Sequence, residues 1–143
     1  MNTSRRIFLL GASGAALHAW PSNRVTLGLV GAGGRGTFVM GVFQKDPDLR
    51  VGAVCDVYEP NLERTLGAAS KAQGGGAAKA YRNYKELLSD KSIDAVLIAT
   101  PEHWHHRMLL DALAAGKDVY VEKPLCHTPE EGVELMDAEK RTK

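Results

Sequence analysis

A glycine-rich turn between an apolar strand-like segment and a helix-like segment constrains this chain more than any other feature. The apolar segment 25–30 (VTLGLV) runs directly into GAGGRG at residues 31–36, which has the spacing G-x-G-x-x-G. Gly31 allows a sharp turn off a strand, Gly33 leaves room for a pyrophosphate beside the backbone, and Gly36 allows the following helix to pack closely. The turn therefore predicts a dinucleotide site with its phosphates at a helix N-terminus.

The residues around this turn indicate which cofactor is bound. The predicted helix begins near Gly34, and Arg35 is either a phosphate contact or a solvated side chain. Asp56 ends the second strand-like segment, about twenty residues further on, where a carboxylate binds ribose hydroxyls and repels a 2′-phosphate. The next four residues, 57–60 (VYEP), contain no cation. The sequence thus favours NAD over NADP, with a glycine turn in an ordinary βαβ unit as the alternative.

Strand-like and helix-like segments alternate along the rest of the chain. A length of 143 residues with 44% hydrophobic composition fits one domain, which we place at residues 23–143. Predicted strands cover 24–30, 50–56, 78–81, 93–100 and 118–122, and predicted helices cover 34–45, 60–71, 84–88, 103–115 and 129–140. In the first helix, Phe38, Val39, Val42 and Phe43 form the expected apolar face. Alternating elements with short connections predict an α/β fold with a doubly wound parallel sheet, the Rossmann fold.

Charge and cysteine usage narrow the functional classes. The formal net charge of +1, without a basic stripe, gives no indication of nucleic-acid binding. We expect Cys55 and Cys126 to be buried free thiols, because two cysteines are too few for a disulfide framework. His103, His105 and His106 lie close together, but CxxC and HExxH patterns are absent, so no metal site is predicted.

The first 22 residues differ from the rest of the chain. SRRIFLL at residues 4–10 resembles a twin-arginine export signal, and a glycine- and alanine-rich stretch follows it up to Ala19. This apolar stretch is too short to span a bilayer, which needs about twenty residues. We therefore expect residues 1–22 to be a signal segment that directs a folded, cofactor-loaded protein to the periplasm. The alternative is an N-terminal tail with an accidental arginine pair on a cytoplasmic protein.

Two further polar clusters follow predicted strands. TPEHWHH at residues 100–106 comes after the fourth strand, and Glu122-Lys123-Pro124 comes after the fifth. Ligands of open parallel sheets bind beyond the carboxyl ends of the strands. We therefore expect both clusters and the glycine turn to lie along one edge of the sheet, with Trp104 packing at the rim of the cleft.

These motifs, together with AAGKDV at residues 114–119, resemble the N-terminal half of the Gfo/Idh/MocA oxidoreductase family over about residues 24–140. The resemblance implies hydride transfer between a nicotinamide and a hydroxyl of a sugar or polyol. Members of this family carry a C-terminal open-sheet domain that supplies the substrate pocket and often an oligomer interface. We expect the chain to lack this domain and the family's last Rossmann strand, and interpret it as a fragment of a longer protein.

The resemblance also implies roles for single residues. Lys123 matches the catalytic lysine that exchanges a proton with the substrate hydroxyl, and Pro124 would fix the turn that aims it. His105 matches a histidine at the nicotinamide end of the cleft, where it is a second catalytic candidate. Glu122 matches the residue that holds the nicotinamide ribose. Thr100 and Pro101 match the loop that contacts the cofactor.

Three functions remain open at this stage. The first is an NAD-dependent oxidoreductase acting on a carbohydrate. The second is an NAD-dependent glycosidase that oxidises its substrate only transiently. The third is a non-catalytic dinucleotide-binding module, in which Lys123 is merely a solvated lysine, because fold alone does not determine function.

Overall fold

The computed structural model describes residues 24–142, which form a parallel sheet of five strands with helices on both faces. The predicted signal segment, residues 1–22, lies outside the described residues. The strands are β1 (Val25–Val30), β2 (Leu49–Cys55), β3 (Lys79–Tyr81), β4 (Ala95–Ile98) and β5 (Asp118–Val121). The helices are α1 (Gly34–Phe43), α2 (Glu59–Ala72), α3 (Tyr84–Ser89), α4 (His105–Ala114) and α5 (Pro129–Thr142).

The strand order confirms the doubly wound sheet. The order is β3-β2-β1-β4-β5, and every neighbouring pair is parallel. The chain first proceeds outward from β1 to β3, then returns to the other side of β1 to form β4 and β5. The direction of winding therefore changes between β1 and β4, which is where open α/β sheets bind ligands.

Apolar side chains cover both faces of the sheet. On one face, Leu27 and Leu29 of β1 pack with side chains from α1 and α2, including Met40 and Leu62. On the other face, strand side chains pack with α3 and α4. A strand buried on both faces needs a continuous apolar sequence, which explains the composition of β1.

The predicted apolar face of α1 is wrong in part. Phe38 is 64% exposed and Val42 is 48% exposed, whereas Gly36, Val39 and Met40 are buried. The close approach of the Gly36 backbone to β1 turns the helix so that the row starting at Gly36 faces the sheet. Phe38 then points to solvent, where its ring centroid lies 5.8 Å from the Arg35 guanidinium carbon.

The loop after β4 also differs from the sequence-based expectation. The strand ends at Ile98 instead of residue 100, and a single 3₁₀ turn, Glu102–Trp104, precedes α4. Ala99 still donates a 2.8 Å hydrogen bond to the Val30 carbonyl oxygen, and the chain leaves the sheet after it. This change brings Thr100 and Pro101 into the loop that the predicted site requires.

Both cysteines of the chain lie in its described part and are free thiols that differ in burial. Cys55 is a buried free thiol as predicted, and desolvation together with nearby Asp56 raises its pKa to about 12. Cys126 is free but only half-buried, so that part of the prediction is wrong.

Within residues 24–142, no three His, Cys, Asp or Glu side chains are grouped to hold a metal ion. Among the same residues, no helix is long and apolar enough to cross a membrane.

Candidate functional site

The predicted motifs lie along the carboxyl edge of the sheet. Val30 pairs with Cys55 on one side and with Ile98 on the other, and Ile98 pairs with Val121. These four residues are the last of their strands, so the four strands end at the same level. The glycine turn is therefore central, with Asp56 on one side and the segment 122–124 on the other.

The glycine turn has the conformation and the space that a pyrophosphate needs. Gly31 has φ +93, and a Cβ there would lie 2.7 Å from the carbonyl atoms of Ala99. A Cβ on Gly36 would overlap the Gly31 carbonyl oxygen. By contrast, a Cβ built on Gly33 or Gly34 would meet no described atom within 4 Å apart from the adjoining residues of the turn and of its own helix. Since Gly33 is the N-cap of α1 and has no side chain, the first amides of the helix are available to an anion.

Asp56 supports the glycine turn directly. Its Oδ2 accepts a hydrogen bond of 2.7 Å from the Ala32 N–H, and its Oδ1 accepts one of 2.8 Å from the Tyr58 N–H. Each carboxylate oxygen has a second acceptor position, so these bonds leave capacity for ribose hydroxyls. Asp56 therefore combines a structural contact with the position predicted for ribose binding.

A cavity of about 430 Å³ adjoins Asp56 on the side of β2 and β4. Its walls include Val30, Gly31, Asp56, Arg82, Tyr84, Thr100, Pro101 and Trp104. Trp104 is 44% exposed at its rim, in the predicted position. The sequence did not identify Arg82 and Tyr84 as residues of the site. They reach this cavity because the pairing of β3 with β2 brings the end of β3 there. The Arg82 guanidinium forms two hydrogen bonds of 2.8 Å with the Glu59 carboxylate.

A second cavity of about 500 Å³ lies between the glycine turn and the loops after β4 and β5. Its walls include Arg35, Ala99, Thr100, Glu102, His105, Glu122 and Lys123. The Glu122 side chain is buried, and its Oε1 accepts hydrogen bonds from Arg35 Nε at 2.9 Å and Nη2 at 2.8 Å. Arg35 therefore contacts Glu122, the residue that the family resemblance predicts to bind the nicotinamide ribose.

His105 and Lys123 lie in contrasting environments within this second cavity. Lys123 is exposed at the cavity wall. His105 is only 2% exposed, with Nδ1 2.8 Å from the Pro124 carbonyl oxygen and Nε2 2.9 Å from the Thr100 carbonyl oxygen. A carbonyl oxygen only accepts, so a neutral imidazole donates to one of them and an imidazolium to both. Because backbone groups occupy both nitrogens, this arrangement favours a positioning role, and catalysis by His105 stays a prediction.

Tyr84, at the wall of the first cavity, provides a pH-dependent test of this geometry. Its hydroxyl donates a 2.7 Å hydrogen bond to Asp111, and desolvation together with this carboxylate raises the Tyr84 pKa to about 12. Folding therefore gains from the neutral phenol below the unfolded pKa of about 10, and this gain is lost as the pH rises towards 12.

We expect an alkaline absorbance titration of the tyrosines to contain a late phase that Tyr84→Phe removes. Tyr58→Phe, at a residue 60% exposed, is the matched control and should leave the late phase intact. Loss of the late phase in the control would show that another tyrosine is responsible.

Comparison with known proteins places this geometry in a family. A family model described as "Oxidoreductase family, NAD-binding Rossmann fold" matches residues 25–143. An alpha-N-acetylgalactosaminidase from Shewanella oneidensis is 33% identical over 121 residues, which are 82% of this chain and 26% of that protein. The chain spans about a quarter of the length of the curated relatives it matches, several of which are named glycosyl hydrolase family 109 proteins.

Solved structures agree with the fold. An NAD-binding protein from Listeria innocua has a TM-score of 0.71 and 36% identity, covering 84% of this chain and 32% of that one. A biliverdin reductase from Synechocystis sp., solved with biliverdin and NADP⁺, has a TM-score of 0.73 and 27% identity, covering 82% of this chain and 35% of that one. These neighbours include proteins bound to NADP⁺, so the comparisons support an NAD(P)-binding domain without separating the two cofactors.

The family model covers most of the chain, and the parallel sheet with its glycine turn agrees with the NAD-binding Rossmann fold that the model describes. The chain therefore belongs to the Gfo/Idh/MocA oxidoreductase family and forms its NAD(P)-binding Rossmann domain.

Proposed function

We propose that this chain is the cofactor-binding part of an enzyme that oxidises a hydroxyl group of a sugar or polyol with NAD. The observation that carries this proposal is the common edge of the glycine turn, Asp56 and Glu122-Lys123, produced by the aligned strand ends. An extended dinucleotide along this edge would place its adenosine near Asp56, its pyrophosphate at α1 and its nicotinamide near Glu122. Substrate binding is assigned to parts of the protein beyond these residues.

Each of the chain's own residues has a defined task in this reaction. A nicotinamide bound near Glu122 would supply the acceptor for the hydride that leaves the substrate carbon. Lys123 Nζ accepts the hydroxyl proton, so that the alcohol becomes a carbonyl compound once the hydride has left the same carbon. The position of Lys123 at the wall of the second cavity leaves its side chain accessible to a substrate. His105 holds together the loop after β4 and the loop after β5, through the carbonyl groups of Thr100 and Pro124.

NAD is the cofactor that we propose, because the Asp56 carboxylate would repel a 2′-phosphate. Arg82 at the same cavity is paired with Glu59, which reduces its availability to an extra phosphate. We expect fluorescence titrations to show NADH binding at least about tenfold more tightly than NADPH. Equal affinity for both cofactors would overturn this preference.

A variant at Gly33 tests whether the phosphates lie where we propose. Gly33→Val introduces a side chain into open space, so we expect the fold to be retained, with a loss of about 1 kcal/mol because valine is a poor N-cap residue, and NADH binding to be lost. Unchanged NADH affinity in this variant would place the dinucleotide elsewhere.

The names of the relatives favour a second candidate function. Relatives about one-third identical to this chain are named glycosyl hydrolase family 109 proteins or an alpha-N-acetylgalactosaminidase. A glycosidase of this kind would begin with the same hydride and proton transfers, then return the hydride after the glycosidic bond has broken. The two functions therefore share the site and differ in the net reaction.

One assay on the NADH-binding protein separates these candidates. The protein is incubated with NAD⁺ and free sugars or polyols, and separately with NAD⁺ and a nitrophenyl α-N-acetylgalactosaminide; NADH absorbance and nitrophenol release are followed. Accumulating NADH indicates net oxidation, whereas nitrophenol release without NADH accumulation indicates transient oxidation. Cofactor binding without either product would support the non-catalytic module.

We also propose export through the twin-arginine route, on the sequence of residues 4–10 alone. Replacing Arg5 and Arg6 together by Lys is expected to retain the protein in the cytoplasm of a host that has this route. Cell fractionation measures the result, and periplasmic protein in the double variant would contradict the proposal.

A further inference from the structure

The peptide group after Ala32, inside the glycine turn, is held from the side opposite the open space at Gly33. The Ala32 carbonyl oxygen accepts hydrogen bonds from Thr37 Oγ1 and Thr65 Oγ1, both at 3.2 Å, and from Arg64 Nη2 at 2.9 Å. Thr37 belongs to α1, whereas Thr65 and Arg64 belong to α2. Three donors from two helices therefore converge on one carbonyl group.

The two threonines form a hydrogen-bonded pair, and each hydroxyl has only one hydrogen to donate. Their hydroxyl oxygens are 2.8 Å apart, so one hydroxyl can donate to the other while the second donates to the Ala32 carbonyl oxygen. Thr65 is completely buried in α2, next to the apolar core. A buried hydroxyl needs a hydrogen-bond partner, and the sheet-facing row of α2 would otherwise be filled by apolar side chains.

The planarity of the peptide bond links this contact to the phosphate site. In a trans peptide, the C=O of one residue and the N–H of the next point in opposite directions. Because the Ala32 carbonyl points towards Thr65, the Gly33 N–H points away from α2. A Cβ built on Gly33 would meet no heavy atom within 4 Å other than those of Gly33 and its chain neighbours, so the described structure leaves open space at this residue.

We propose that Thr65 is a positioning residue for the pyrophosphate, acting through the Ala32 carbonyl to orient the Gly33 N–H. Thr37 acts with Thr65 as the second member of the pair. On the other side of Ala32, the Ala32 N–H donates a 2.7 Å hydrogen bond to Asp56 Oδ2. The proposal rests on the proposed dinucleotide-binding function. It adds to the site one residue of α2, Thr65, which does not touch the cofactor but affects its affinity.

Thr65→Val tests the proposal, with Thr65→Ser as the matched control that keeps the hydroxyl. Both variants are titrated with ADP-ribose, which carries a pyrophosphate, and with adenosine, which does not; binding is followed by NMR chemical shifts. We expect Thr65→Val to weaken ADP-ribose binding about threefold to tenfold, with adenosine binding unchanged. Thr65→Ser should bind both ligands like the original protein.

Several outcomes would overturn this role. Unchanged ADP-ribose affinity in Thr65→Val, or an equal loss for adenosine, would show that Thr65 is only a packing residue. Should Thr65→Val fail to fold, Thr37→Val provides the same test from α1, with the same expected direction. If the original protein binds adenosine and ADP-ribose equally weakly, the proposed phosphate site itself fails, and the role of Thr65 fails with it.

Discussion

Replacing Gly36 by alanine is expected to abolish NADH binding and to lower the free energy of unfolding by about 1–3 kcal/mol. The added methyl group would overlap the Gly31 carbonyl oxygen, which is backbone and has no rotamer that relieves the overlap. Either α1 moves away from β1 or the turn changes its shape. Both responses displace the helix N-terminus from the position where it would meet the phosphates.

A second glycine of the same helix provides the matched control. Gly41 is exposed on α1, and a Cβ built on it would meet no described atom within 4 Å apart from its chain neighbours and the backbone of its own helix. Gly41→Ala is therefore expected to raise the free energy of unfolding by about 0.5–1 kcal/mol and to leave NADH affinity unchanged. Denaturant unfolding and NADH titration of both variants measure these effects. Original-like binding in Gly36→Ala would show that close packing of α1 on β1 is not required.

Replacing Lys123 by methionine is expected to lower the turnover rate about 10²–10⁴-fold while NADH affinity and thermal stability stay close to the original values. Methionine retains much of the apolar length of lysine but can neither accept nor donate the hydroxyl proton. Because Lys123 is exposed in the described structure, its charge contributes little to folding. The rate is measured with whichever carbohydrate substrate the assays above identify.

Lys91→Met is the control for this experiment. Lys91 is also exposed, but it lies in the turn before β4, at the opposite edge of the sheet from the glycine turn. We expect Lys91→Met to retain full activity. A Lys123→Met variant that is as active as Lys91→Met would assign Lys123 to the solvated surface and leave the oxidoreductase proposal without its proton acceptor.

Some of the features that these variants test can be predicted from the sequence alone. Glycine spacing and the alternation of apolar segments follow from local geometry, since a tight turn and a buried strand each impose short-range requirements on residue type. For this reason the five strands, the glycine turn and the level of the strand ends agree with the sequence-based predictions. The family resemblance depended on the same short motifs, and the family model confirms it.

Other features depend on contacts between residues far apart in the chain. Arg35 meets Glu122 across 87 positions, and Thr65 meets Ala32 across 33. His105 lies between Thr100 and Pro124 only because α4 packs against the loops that follow β4 and β5. No periodicity identifies such partners, since each contact requires the strand order and the packing of a helix on the sheet.

The sequence by itself therefore determined the strands, the dinucleotide turn and the edge of the sheet at which the polar residues gather, because these follow from local backbone and burial requirements. Only the tertiary structure decided which face of α1 is buried, which side chain Arg35 contacts and which residues hold Ala32 from behind. The physical reason is that such contacts arise when separate elements pack against each other, and the close approach allowed by Gly36 sets how α1 packs on the sheet.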